Sequence, residues 1–222
     1  MLRLVSFLLY SNTFRKGALK YSAKPPMIDI IELLQTRWRT ADLRFATQLA
    51  DVLLAHFEDS QQGGFFFTAD DHEQLIQRPK SLADESMPSG NGIAALALGR
   101  LGHILGESRY LAAAERTLKA AWPAMTEMPY AHVALIVALG EYLEPPQTIV
   151  LRGEAEVLRE WQAQCARHYA PGRIVLAIPS SETDLPGLLA ERKAQGQVVA
   201  YVCQGMTCQA PVTSLVELEK LL

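Results

Sequence analysis

"NGIAALALGRLGHILGESRYLAAAERTLKAAW", residues 91 to 122, decides the fold class. Ile93, Leu96, Ala97, Leu101, Ile104 and Leu105 recur at steps of three and four, the spacing of one helix face. Gly106 then supplies a stop, since glycine reaches positive φ at little cost. A second helix follows, with Tyr110, Leu111, Ala114, Leu118 and Ala121 as its stripe and Ser108 as its expected cap. So short a connection makes the two helices antiparallel neighbours.

The same pattern extends upstream and downstream. "MIDIIELLQTRW" places Ile28, Ile31, Leu34 and Trp38 on one face. "TADLRFATQLADVLLAHF" repeats it with Leu43, Ala46, Leu49, Leu53 and Phe57, and Thr40 is its expected N-cap. "MPYAHVALIVALGEYL" gives a fifth helix, closed by Pro145 and Pro146. Five helices in hairpins, rich in alanine where they must approach closely, read as part of an (α/α) toroid. The odd count implies an incomplete toroid, with an apolar flank uncovered on helices 28 to 38 and 41 to 58.

Past Pro146 the character changes. "TIVLRG", "RIVLAIP" and "QVVAYVC" read as strands, and "EAEVLREWQAQCARHY", "TDLPGLLAERKAQ" and "TSLVELEKLL" as the helices after them. Alternation with nearly continuous apolar strands predicts a small parallel βαβαβα module covered on both faces. The chain therefore divides into an atypical N-terminal segment (1–26), a helical-hairpin region (27–146) and a small α/β module (147–222). "MLRLVSFLLYS" has the short apolar run of a secretory signal, but no A-x-A cleavage site follows it.

With 222 residues, 49% hydrophobic content and formal net charge −3, the composition is that of an ordinary globular protein. No basic footprint points to nucleic acid, and no polybasic or long apolar run points to a membrane. Three cysteines fit a reducing, cytoplasmic compartment better than a disulfide scaffold. Neither H-E-x-x-H nor paired Cys-x-x-Cys occurs, so neither a metal nor another cofactor is expected.

Between the second and third helices lies "GGFFFTADDHEQLIQRPKSLADESMPSGN", residues 63 to 91. So long a loop is either functional or disordered, and its aromatic run argues for order. A hairpin pairing "FFFT" with "LIQR" would set Asp70, Asp71, His72 and Glu73 at its tip, and Arg78, Lys80, Asp84 and Glu85 would lead back to the next helix. Ser89 and Asn91 are most simply helix caps.

This loop block and the closing "AYVCQGMTCQAP" resemble the thioredoxin-domain-containing proteins related to spermatogenesis-associated protein 20. The resemblance covers roughly residues 27 to 222 and only the C-terminal part of such a protein. It implies a six-hairpin-glycosidase-type toroid that follows a thioredoxin-like domain. The Cys-x-x-Cys motif of that domain has no counterpart here. A carbohydrate-related role, with the reaction unassigned, would place catalytic carboxylates and a histidine at Asp71, His72 and Asp84, and substrate contacts at Arg78, Ser89 and Asn91. The ligand would be a carbohydrate. The alternative is a redox-linked or protein-interaction module serving a thioredoxin-like domain or chain. Whether the chain is an enzyme stays open.

Cys203 and Cys208 flank Gly205 in "CQGMTC" and admit three readings: buried thiols, a structural or reversible disulfide, or half of a metal site. Gly205 permits the reversal that brings them within bridging distance. Cys165 reads as an ordinary buried residue on a helix.

Overall fold

The computed structural model describes residues 27–71 and 77–222. The segment 1–26 and residues 72–76, which hold part of the expected hairpin's tip and the start of its second arm, lie outside them. Five helices come first: α1 (Met27–Thr36), α2 (Thr40–His56), α3 (Gly90–Leu105), α4 (Ser108–Glu127) and α5 (Val133–Leu143). A 3₁₀ turn, Pro129–Ala131, leads into α5. α3 is the hub, packing on α4, α5 and α1.

Small residues let α3 sit close to its neighbours. A Cβ on Gly92 would lie 2.6 Å from Ala134 Cβ, and one on Gly102 would lie 2.7 Å from Leu111 Cδ2. Gly106 ends α3 in the left-handed region, at φ 70°. Ser89 caps its start by accepting from Gly92 N at 3.1 Å. Two expected caps fall differently. Arg39 and Glu107 hold the N-cap positions, so Thr40 and Ser108 are the first residues inside their helices. Thr40 Oγ1 instead accepts from Trp38 Nε1 at 3.1 Å and donates to the Glu182 carboxylate.

The second half contains β1 (Gln147–Gly153), α6 (Ala155–Ala166), β2 (Ile174–Pro179), β3 (Val198–Gln204), β4 (Thr207–Cys208) and α7 (Leu215–Glu219). The described chain thus carries seven α-helices and one four-stranded sheet ordered β2-β1-β3-β4. The sheet is mixed, which corrects the parallel βαβαβα expectation. β1 runs parallel to β2 but antiparallel to β3, and β3 and β4 form a hairpin. The reason lies between β2 and β3. A parallel return needs a crossover of a dozen or more residues along the strands. Here Pro186 and Gly187 reduce the expected helix to a 3₁₀ segment, Gly187–Glu191. Gly153 pairs with Pro179 on one side and with Val198 on the other. The chain therefore re-enters the sheet at the end where it left, and β3 runs backwards.

One face of the sheet, with Val150, Leu176, Ile178, Val199 and Tyr201, joins the helical core. The other face, with Ile149, Leu151, Ala200 and Val202, packs on Leu158, Trp161 and Cys165 of α6 and on Leu218 of α7. Burial on both faces explains why β1 reads as a continuous apolar run. Its charged exception is Arg152, 4% exposed, which donates from Nη2 to Glu182 O at 2.8 Å while Nε and Nη1 have no partner.

The exposed apolar surface is not where the helix count put it. Among the described residues, no large hydrophobic side chain between 27 and 58 is exposed, whereas Tyr130, Val133, Ile136, Val137 and Leu143 are. No helix among the described residues is long and apolar enough to cross a membrane.

Candidate functional site

The loop between α2 and α3 is held by side chains that reach across sequence. Asn91, 2% exposed, sits in the first turn of α3 and treats Phe65 as a strand partner would. Its Oδ1 accepts from Phe65 N at 2.7 Å, and its Nδ2 donates to Phe65 O at 3.1 Å and Ser81 O at 2.8 Å. Lys80 donates to Asp59 Oδ2 at 2.8 Å and to Gly63 O at 2.7 Å. That bond holds the Asp59 carboxyl below its ordinary range, helped by the Gln62 and Gln61 amides. Gly63 must be glycine: at φ 80° a Cβ would lie 2.4 Å from Arg116 O.

Asp84 ties two helix starts together. Its Oδ1 accepts from Ser89 N at 2.7 Å and its Oδ2 from Ala134 N at 3.0 Å, at the N-termini of α3 and α5. Arg78 donates to Thr68 O at 2.7 Å and His56 O at 3.2 Å, and its guanidinium lies 4.4 Å from the Phe66 ring centre. Asp84, Arg78, Ser89 and Asn91 are therefore all engaged in holding backbone.

Phe67 N donates to Pro79 O, one residue beyond the expected second arm, and Phe65 bridges back to Glu58, so no backbone bond of the expected pairing of 65–68 with 75–78 falls among the described residues. Asp71 is exposed and lies with His56 and Asp70 in a group whose ligand-type atoms fall within 4.8 Å of one another. His56 Nδ1 and Asp70 Oδ1 are 2.9 Å apart, and this contact depresses the Asp70 carboxyl. Among the described residues, this is the one such cluster with the donor types of a cation site. Beside it opens a polar recess lined by Glu58, Asp59, Ser60, Gln61, Gln62, Phe66, Arg78 and Lys80. Of the sequence-derived residues only Arg78 lines it. Asp71, Asp84, Ser89 and Asn91 do not, and His72 lies outside the described residues.

A second candidate lies at the β3–β4 hairpin. Gln204 pairs with Thr207 across the turn Gly205-Met206, and Gly205 takes φ 58°. Cys203 and Cys208 are directly opposed and joined by a disulfide, with Cα atoms 3.9 Å apart. Cys203 is buried and Cys208 half-buried. The Arg192 Nη2 lies 3.0 Å from Cys208 Sγ and 3.7 Å from Cys203 Sγ. The Arg192 guanidinium also lies 5.4 Å from the Tyr201 ring centre, and Tyr201 Oη donates to Lys193 O at 2.7 Å. Sequence reasoning missed Arg192 because it fell inside an expected helix. The signal that could have found it is the Pro186-Gly187 break, which ends the helical turn at Glu191 and leaves Arg192 in the irregular approach to β3. Cys165 is free, and burial pushes its thiol up.

No family model matches the chain. It is similar to spermatogenesis-associated protein 20 of Homo sapiens, 30% identical over 202 residues, covering 87% of this chain and 26% of the relative. The protein of that name in Rattus norvegicus is 27% identical over 202 residues, covering 87% of this chain and 26% of the relative. An uncharacterized protein of Caenorhabditis elegans is 26% identical over 197 residues, covering 86% and 27%. The chain spans about a quarter of the length of these curated relatives.

Proposed function

We propose that this distant relative of spermatogenesis-associated protein 20 is a redox-linked module in which Cys203 and Cys208 cycle between disulfide and dithiol. The observation that carries the reading is the Arg192 guanidinium set against both sulfurs. A staple is a poor explanation of the bond, because the hairpin already closes the short loop between the cysteines and little chain entropy is left to remove. A cation beside sulfur instead favours thiolate, which both reacts and departs more readily.

The exchange balances with a protein dithiol as reductant, the class to which a thioredoxin-like domain or chain belongs. One of its thiolates attacks Cys208 Sγ, the less buried sulfur, and the Sγ–Sγ bond breaks. Cys203 leaves as a thiolate facing Arg192. The second thiol of the reductant then displaces Cys208 from the mixed disulfide. The reductant ends as a disulfide, and this chain has gained two electrons and two protons. Such cycling fits a reducing cytoplasm. In the test, the native protein is reduced with a dithiol under pseudo-first-order conditions and the free thiols are counted. Arg192→Ala is expected to slow reduction about threefold for each unit by which the leaving thiolate's pKa rises. An unchanged rate would remove Arg192 from the chemistry.

A second reading retains the carbohydrate-related toroid. Its support is the recess beside Phe66, where amides, paired charges and an aromatic ring converge. Titration with mono- and oligosaccharides, monitored by amide chemical shifts, is expected to move Gln61, Gln62 and Phe66 together. Shifts scattered elsewhere, or none, would end that reading and leave the redox one untouched.

A further inference from the structure

We infer that the chain pairs with a second copy of itself through the outer face of α5, in an antiparallel two-fold contact. The sequence from Met128 to Gly140 carries no Asp, Glu, Lys or Arg. Leu135 and Ala138 turn one face of α5 into the core. The opposite face presents Val133, Ile136, Val137 and Leu143, with exposures of 53, 38, 49 and 68%. Gly140 lies on the same stripe, with open space where its Cβ would be. Tyr130, 76% exposed, extends the surface at the N-terminal end. These positions follow the three- and four-residue steps of a packing face, and among the described residues their side chains stay exposed.

Three features point to a second copy as the occupant. First, the face is self-complementary. The knob at Ile136 and Val137 lies one turn from the notch at Gly140. A two-fold axis between them puts each copy's knob into the other's notch, as an isologous contact requires. Second, the ends match. Antiparallel pairing brings the exposed Leu143 at the end of one α5 to the exposed Val133 at the start of the other. Third, the area suffices: the five side chains expose on the order of 500 Å² per copy, or ~1,000 Å² per pair, the lower bound of a specific interface. A lipid surface fits less well, because 128 to 144 holds no Lys or Arg to meet anionic headgroups.

The test is sedimentation equilibrium of the full chain across the micromolar range. A concentration-dependent dimer is expected, and Val137→Glu should abolish it. Gly140→Leu should abolish it as well, because it fills the notch while its side chain enters open space and leaves the fold intact. Val216→Glu, at an exposed apolar position on α7, should leave it unchanged. Orientation is read by oxidative cross-linking: Val133→Cys and Leu143→Cys proteins should link to each other when mixed and not to themselves. A monomeric wild-type chain, including one that binds only a different protein or vesicles, would overturn the proposal. So would a dimer that survives both Val137→Glu and Gly140→Leu.

Discussion

Asn91 shows how one side chain can stand in for a strand. By accepting from Phe65 N and donating to Phe65 O, it satisfies a backbone unit that the loop buries. Asn91→Ala strands the donor and acceptor of Phe65 together with Ser81 O, and each unpaired buried group costs about 1–3 kcal/mol. Urea denaturation should therefore show a loss of about 3 kcal/mol or more, whereas a loss no larger than that of an exposed-site control would contradict the clasp. His103 offers a pH test at the same scale. Burial pushes its imidazole below the ordinary 6.5, against a smaller opposing pull from Glu141. The unfolded chain thus takes the proton more readily. The stability this residue provides is full above 6.5 and is lost as pH falls below it. The thermal midpoint should fall between about pH 7.5 and 5.5, and His103→Gln should flatten that fall; parallel curves for the two proteins would refute the assignment. Local demands such as the Gly106 stop and the Ser89 cap were legible in the sequence because they concern backbone only a few residues away. Asn91 was read as a cap for the same reason. Its real partner, twenty-six residues off, leaves no mark in a local pattern.

The helices were legible as elements because their apolar stripes are long and regular, and their hairpin order follows from short connections. Their ends were not. Thr40 and Ser108 look like caps, but they sit one residue inside their helices, where tertiary partners such as Glu182 claim the Thr40 hydroxyl. The sheet's direction failed for a related reason. Strand identity is written in apolar runs, whereas strand direction depends on whether the intervening segment can travel the length of the sheet. Pro186 and Gly187 decide that. The α3–α5 contact gives a prediction at this scale. Ala134 fills the space above Gly92, so Gly92→Leu must push α5 away from α3 and disturb the Asp84 bond to Ala134 N. A loss of a few kcal/mol is expected, with faster amide exchange at the start of α5. Unchanged protection there would show that the two helices do not lean on each other.

At the scale of the whole molecule, the long loop and the hairpin divide the labour. Several of the loop's charged residues hold backbone: Asp84, expected to be catalytic, Arg78, expected to bind substrate, and Lys80 each bind main-chain atoms. The hairpin instead sets a disulfide against a guanidinium at the sheet's edge; the cysteine pair around Gly205 was legible in the sequence, and Arg192 was not. Its chemistry does not need α5, so Val137→Glu should leave thiol exchange as it is while dissolving the pair of copies. The most direct test of the redox claim is the reduction potential of Cys203–Cys208 in the native full chain. It can be measured by equilibration in graded dithiol buffers, rapid alkylation and intact mass. The account predicts a midpoint within about −180 to −270 mV, the range of exchanging disulfides, with Arg192→Ala moving it to more negative values. A midpoint below about −300 mV that Arg192→Ala does not move would make the bond a structural one and contradict the account.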